Sequence, residues 1–138
     1  MSRLACLLAV LGAAVLVSSS IAAPKSASVL IRHQRHGCHT WSVNGGAFRA
    51  SQTVHLARGG TITIVNKDVM AQALVQKSGA KVHETGNPKL NTLGAWVKVT
   101  FPKAGTYHFA TKAGEDYPGM DRPTVGEDNN LTLTVIVS

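Results

Sequence analysis

A nine-residue stretch at positions 33–41, HQRHGCHTW, holds three of the chain's six histidines and one of its two cysteines. Imidazole nitrogens and thiolate sulfurs are the protein ligands that copper and zinc bind most readily. The stretch therefore indicates a transition-metal site with Cys38, His39 and His36 as candidate ligands. We expect His33 to be exposed to solvent and not to act as a ligand.

The geometry of a strand leaves two interpretations of this stretch open. Alternate side chains of an extended strand share a face, so His36 and Cys38 point one way and His39 the other. One ion can take all three only if Gly37 introduces a bulge that redirects one of them. In the alternative interpretation, Cys38 packs as a small hydrophobic residue and the histidines stay solvated at a strand edge.

A second set of candidate ligands lies in an acidic segment, because five of the seven acidic residues fall between positions 115 and 128. Met120 lies in this segment, and a thioether from Met120 or Met70 would favour copper(I). Glu115 and Asp116 offer carboxylates and rank below the first set. In the alternative interpretation, the acidic segment only neutralises the basic residues of the early segment, Arg32, Arg35 and Arg49.

The N-terminal segment has the pattern of a secretory signal peptide over residues 1–23. Arg3 precedes an apolar run at 4–17, and small residues follow it. The apolar run is shorter than the roughly 20 residues that span a bilayer, so we expect no membrane span. The segment predicts a secreted or periplasmic protein with one domain at 24–138. Removal of Cys6 would leave Cys38 as the only thiol, so a disulfide could form only between two chains.

The charge pattern and the motifs narrow the class of function. The chain carries a formal net charge of +7, but its basic residues are scattered and form no long run. The basic balance favours an anionic surface, and no segment resembles a nucleic-acid-binding motif. We therefore expect a metal ion as partner, with a protein partner or an anionic surface as further candidates, and no nucleic acid. We find no nucleophile motif, no phosphate-binding loop and no zinc-protease motif, so we expect no enzymatic activity.

Short segments rich in β-branched residues follow one another from residue 26 to the end, separated by turn residues. They predict an all-β sandwich or barrel of seven to eight strands. Val97, Val99 and Phe101 alternate with polar residues and should face the core. Residues 77–94, which contain several glycines and a proline, predict a long loop. The predicted strands lie at 28–31, 40–43, 53–56, 61–65, 73–76, 95–101, 106–111 and 131–137.

Two of these segments resemble strand motifs of the cupredoxins. Residues 60–66, GTITIVN, resemble the family's "G-x-x-V-x-F-x-N" strand, and residues 101–109, FPKAGTYHF, resemble its "F-x-x-x-G-x-Y-x-F" strand. The segment around Met120 falls where the family places its ligand loop. The resemblance covers essentially the whole of 24–138 and implies a Greek-key, cupredoxin-like fold with a copper ion as cofactor.

The resemblance also implies a type 1 copper site whose main ligands this chain lacks. The family's first histidine falls at about Gln72 and its cysteine at Thr111, so only Met120 matches. A threonine hydroxyl is far too weak an acid to replace a thiolate. We therefore expect an exported protein that binds copper at a non-blue site, for storage, delivery or sequestration. A metal-free interaction module is the alternative, and electron transfer ranks third.

Overall fold

The structure is a computed structural model that describes residues 22–34, 37–113 and 131–138. The predicted signal peptide lies, except for its last two residues, outside these ranges. The described part of the chain is all-β, as predicted, and contains nine strands. They are β1 (Ser26–Gln34), β2 (Gly37–Val43), β3 (Ser51–Leu56), β4 (Thr61–Asn66), β5 (Gln72–Ser78), β6 (His83–Gly86), β7 (Trp96–Thr100), β8 (Gly105–Ala113) and β9 (Thr132–Val137).

The strands form two sheets. One sheet has the order β2-β1-β4-β7-β6, and the other has the order β3-β9-β8-β5. β1 pairs in parallel with β4, and β3 pairs in parallel with β9, whereas the other pairs are antiparallel. Parallel neighbours require long connections, which here cross from one sheet to the other. This is the cupredoxin-like sandwich that the resemblance implied.

The core lies between the two sheets and follows the alternation of the sequence. Ile62 and Ile64 on β4 are buried, and their polar neighbours are only partly buried. The predicted inward residues Val97, Val99 and Phe101 are all buried. Each strand therefore contributes one apolar face, and burial of these faces is the main term that favours folding.

The prediction of a loop over 77–94 is wrong in part, because strand β6 lies within this range and pairs with β7. All four β6 residues are exposed, so no apolar alternation marks the strand in the sequence. Gly86 adopts a φ of 99°, and a Cβ there would lie 2.9 Å from Cζ3 of Trp96. Glycine is required at this position because the Trp96 ring lies directly over its backbone. Trp96 itself is exposed at this sheet edge.

In the first sheet, β1 is longer than its ladder with β4. The parallel ladder of β1 and β4 ends at the pair Ile31 and Asn66, but β1 continues to Gln34. The backbone N–H of Lys67 donates to the carbonyl of Ile31 at 2.9 Å and carries the contact one residue further. The last residues of β1 therefore lie beside the turn that follows β4. No helix long and apolar enough to cross a bilayer occurs in the described part of the chain.

Candidate metal centre

His39 lies on β2 with its side chain inside the sandwich. It pairs with His33 across the antiparallel β1–β2 ladder, and two residues further on Trp41 pairs with Ile31. Trp41 and Ile31 belong to the core, and alternate residues share a face, so His39 points to the same interior side. His39 is fully buried. The interpretation that it stays solvated at a strand edge is therefore wrong.

Asp68 lies in a tight turn that Asn66 organises at the end of β4. The Asn66 side-chain oxygen accepts the backbone N–H of Asp68 at 2.9 Å. The Asn66 amide donates to the carbonyls of Met70 and Leu90, at 2.7 and 2.8 Å. Asparagine favours such local bonds to the backbone at turns. The turn therefore fixes the backbone from which the Asp68 carboxylate projects.

The two carboxylate oxygens of Asp68 have different partners. Oδ1 accepts the backbone N–H of Met70 at 3.1 Å, which holds the carboxylate within its own turn. Oδ2 lies 2.6 Å from Nδ1 of His39, and both side chains are buried. We place the proton on Nδ1 because a carboxylate only accepts. A bond this short to an ionised acceptor is of the strong, charge-assisted kind, and it fixes the orientation of the imidazole ring.

His33 completes a cluster of three potential ligands. Its ring centroid lies 5.9 Å from that of His39, with 70° between the ring planes. One ligand atom from each of His33, His39 and Asp68 lies within 4.8 Å of the others. Ligands bound to one ion at about 2.0–2.2 Å stand no more than about 4.4 Å apart. The spread of the three atoms is therefore a few tenths of an ångström above that limit, and His33 is the one exposed member of the cluster.

The structure brings together one predicted ligand and two residues that were not predicted as ligands. His39 is the predicted ligand. His33 is exposed, as expected, but it lies beside His39. Asp68 was not predicted to have a functional role. Cys38 lies next to His39 in β2, and Met70 is half-buried in the Asp68 turn, so both stay predictions as ligands. The remaining candidates lie outside the described residues: His36, Met120, Glu115 and Asp116.

A sequence signal for Asp68 existed in the "N-x-D" pattern directly after a strand. The pattern predicts a turn of the kind that Asn66 forms, but it does not say what the second carboxylate oxygen contacts. His39 lies 29 residues away in sequence. Only the pairing of β2 with β1, and of β1 with β4, brings the two together.

The two positions at which the resemblance placed type 1 copper ligands are buried but hold no such ligand. Gln72 pairs with Ala113, and Leu74 pairs with Thr111, across the β5–β8 ladder. Gln72, Leu74 and Thr111 are all buried, so Gln72 and Thr111 are diagonal neighbours on the inner face. Among the residues that the structure describes, the Gln72 amide nitrogen, the Gln72 amide oxygen and the Thr111 hydroxyl have no hydrogen-bond partner. An amide and a hydroxyl do not fit a type 1 site.

Comparisons with solved structures find similar chains at low sequence identity. A purple cupredoxin from Nitrosopumilus maritimus aligns over 80% of this chain and 98% of its own, with 17% identity and a TM-score of 0.48. An inclusion body protein from Burkholderia cenocepacia aligns over 84% and 97%, with 10% identity and a TM-score of 0.50. A copper(I) form of a mutant amicyanin aligns over 80% and 82%, with 13% identity and a TM-score of 0.42. No protein-family model and no curated protein matches the chain.

The strand order and register described above make the chain a cupredoxin-like β-sandwich protein, with Gln72 and Thr111 at the positions where the resemblance placed the type 1 histidine and cysteine. Similarities at these sequence identities concern the fold alone. The three proteins are a purple cupredoxin, an amicyanin and an inclusion body protein, so they do not indicate one shared function. The candidate centre rests on the described residues of this chain. It consists of His33, His39 and Asp68, at the end of the first sheet.

The buried pair of His39 and Asp68 should be coupled in stability. We expect His39→Ala and Asp68→Ala each to lower the free energy of unfolding by about 3–5 kcal/mol, because each leaves the other polar group buried without its main partner. The double variant should lose clearly less than the two single losses added together. Urea unfolding gives the free energy of unfolding of the parent, the two single variants and the double variant. His55→Ala, at an exposed strand position, is the control and should stay within about 0.5 kcal/mol. Strictly additive losses would show that the pair does not interact.

The unpartnered hydroxyl of Thr111 predicts an effect of opposite sign. Thr111→Val keeps the shape of the side chain and removes a buried hydroxyl that has no hydrogen-bond partner within 22–34, 37–113 and 131–138. We expect the free energy of unfolding to rise by about 1 kcal/mol. Thr134→Val is the matched control, since the Thr134 hydroxyl lies 3.3 Å from Nδ1 of His108. A loss of stability in Thr111→Val as large as that in the control would mean that the Thr111 hydroxyl is satisfied in solution.

Proposed function

We propose that this protein binds a divalent transition-metal ion, copper(II) foremost, at His33, His39 and Asp68. The observation that carries the proposal is the pre-positioned, buried pair of His39 and Asp68 with a second imidazole beside it, all three ligand atoms lying within 4.8 Å. Three such donors in one place are a recurring ligand set of transition-metal sites. The role is binding, for storage, delivery or sequestration, and not catalysis.

The donor types support the choice of ion. Two imidazoles and a carboxylate offer nitrogen and oxygen, which suit copper(II) and zinc better than copper(I). Among divalent ions of the first transition row, copper(II) binds such donors most tightly. A soft sulfur from Cys38 or Met70 would shift the preference towards copper(I). The described cluster therefore favours the oxidised ion.

The hydrogen bond between His39 and Asp68 has a consequence for metal uptake. His39 and Asp68 would both hold the ion if it were bound through Nδ1, and the proton of their hydrogen bond would then have to leave. If the ion were bound through the other ring nitrogen, the hydrogen bond would be kept and Asp68 would orient the ring. Both arrangements use the same pair, and both leave His33 as the ligand nearest to solvent.

Export is part of the proposal and rests on the sequence of residues 1–23. The charged start, the apolar run and the small residues that follow are the parts of a secretory signal peptide. Outside the cytoplasm a protein of this kind would meet metal ions before they enter the cell. A single copper-binding domain at 24–138 then acts as an extracellular or periplasmic carrier.

A metal-free interaction module is the second candidate function, and exposed apolar side chains favour it. Val69, Leu93 and Trp96 are large apolar residues that are 81%, 63% and 47% exposed. Leu93 and Trp96 line a surface groove of about 430 Å³. Leu93 and Trp96 thus lie together, and contiguous exposed apolar side chains are typical of binding surfaces. Val69 lies next to Asp68, so the two candidate functions involve the same end of the sandwich.

His33 provides the sharpest test of metal binding, because its exposed side chain can be removed without opening the core. We expect His33→Ala to keep the stability of the parent and to weaken copper(II) and zinc binding by tenfold or more, since one of three ligands is lost. Calorimetric titration of the purified, reduced protein measures both affinities. Native mass spectrometry gives the stoichiometry, which should be one.

The matched control is His55→Ala, which removes an exposed histidine from β3 in the other sheet. It should bind metal as the parent does. In the parent, saturation at 100 times the dissociation constant should add about 2.7 kcal/mol to the free energy of unfolding. Equal affinities for parent and His33→Ala, or a parent that takes up neither ion, would contradict the proposal. The second result would leave the interaction module.

A further inference from the structure

The end of the sandwich opposite to the candidate centre carries a group of basic side chains. β1 begins there at Ser26, which pairs with Thr61 at the start of β4, and it runs 9 residues, or about 30 Å, to the end that holds the centre. Five basic side chains belong to the starting end, and all are exposed: Lys25, Arg58, Lys77, Lys81 and Lys103. We call these five residues the basic end.

Hydrogen bonds place three of the five residues side by side. Nζ of Lys25 donates to the backbone carbonyl of Arg58 at 3.0 Å. Nε of Arg58 donates in turn to the carbonyl of Pro102 at 3.4 Å, and Lys103 is the next residue. The segments before β1, before β4 and before β8 therefore meet at one surface.

The turn that carries Lys77 and Lys81 packs against the same surface. A Cβ at Gly79, between these two lysines, would lie 2.7 Å from Cδ1 of Tyr107. The Tyr107 hydroxyl donates to the backbone carbonyl of Lys103 at 2.6 Å. Gly79 thus touches the side chain that is bonded to Lys103, so the basic end is one continuous surface.

Negative groups offset only part of this charge. Ser138, the last residue of the sequence, accepts the backbone N–H of Arg58 at 2.8 Å, so a terminal carboxylate would lie at this end. The acidic side chains at described positions are Glu84, on the exposed edge strand β6, and Asp68, at the opposite end. Five cations against Glu84 and one carboxylate leave the basic end positive.

The chemistry of this end suits a plane of negative charge. The described large apolar side chains that are exposed lie at the other end: Val69 follows β4, Trp96 pairs with Val65, and Leu93 lines a groove with Trp96. Protein partners usually meet at surfaces with an apolar centre, and a small anion needs donors that converge on one point. Anionic lipid headgroups attract basic side chains that are only spread over a surface.

We propose that the basic end docks the exported protein on the surface of a bilayer rich in anionic phospholipid, by charge and without insertion. Lys25 lies just after the predicted signal peptide, so the exported chain keeps all five basic residues. The candidate centre and the groove at Trp96 then face away from the bilayer. This surface goes beyond the proposed function and does not depend on metal binding.

Co-sedimentation of the exported protein with vesicles of phosphatidylglycerol and phosphatidylcholine in equal amounts tests the inference. We expect binding at low salt that weakens steeply as salt rises, because salt screens exposed charges. Vesicles of phosphatidylcholine alone measure any binding that does not depend on charge, and they should retain little protein. Lys81→Glu/Lys103→Glu should weaken binding to the anionic vesicles by roughly tenfold or more, since two attractive charges become repulsive.

The matched control is Lys67→Glu/Lys89→Glu, which changes the net charge by the same amount at exposed positions of the other end. Lys67 follows β4, and Lys89 precedes Leu90, whose carbonyl accepts the Asn66 amide. At 0.1 M salt this variant should bind within about twofold of the parent, because charges beyond a Debye length of about 10 Å are largely screened. Urea unfolding checks that both double variants fold.

Three results would overturn the inference. The protein could stay in solution with the anionic vesicles. The two double variants could lose affinity equally, which would assign binding to net charge and not to the basic end. The protein could bind polyglutamate but not the vesicles, which would identify an acidic protein as the partner. Metal binding is tested separately by the copper titration, so none of these results decides it.

Discussion

The candidate centre depends on one short hydrogen bond between two buried polar side chains, Nδ1 of His39 and Oδ2 of Asp68, at 2.6 Å. Burial of an imidazole and a carboxylate costs free energy, which a well-formed mutual bond only offsets. A hydrophobic pair of similar size would stabilise the sandwich at least as well. Stability alone therefore does not explain the polar pair in the interior. The proposed metal binding would use both groups at once.

The fold supplies this pair by two long-range pairings. β1 lies between β2 and β4 in the first sheet, so it connects the strand of His39 to the turn of Asp68. β1 continues past Ile31, which pairs with Asn66 at the end of β4, and this extra length brings His33 to the same place. Asn66 then ties the turn to the carbonyls of Met70 and Leu90. At the other ligand positions implied by the resemblance, Gln72 and Thr111 are buried and have no hydrogen-bond partner in the described part of the chain, and neither side chain is a type 1 copper ligand.

The sequence predicted the fold better than the centre, for a physical reason. Alternation of apolar and polar residues is local, so β4 and β7 could be recognised, whereas the fully exposed β6 carried no such pattern. His39 was predicted as a ligand from its residue type. Asp68 was not, because its contact with His39 depends on strand order and register. His33 was expected to be exposed, which is confirmed, but exposure alone does not show which side chain lies across the ladder.

X-ray absorption of the zinc-loaded protein tests the central claim most directly, because it reports the atoms bound to the ion. The account predicts a first shell of nitrogen and oxygen at about 2.0–2.1 Å, with the multiple-scattering features of two imidazoles. His33→Ala should reduce these features to those of one imidazole. A first shell without imidazole scattering would contradict the account. It would show that zinc binds elsewhere than at His33, His39 and Asp68.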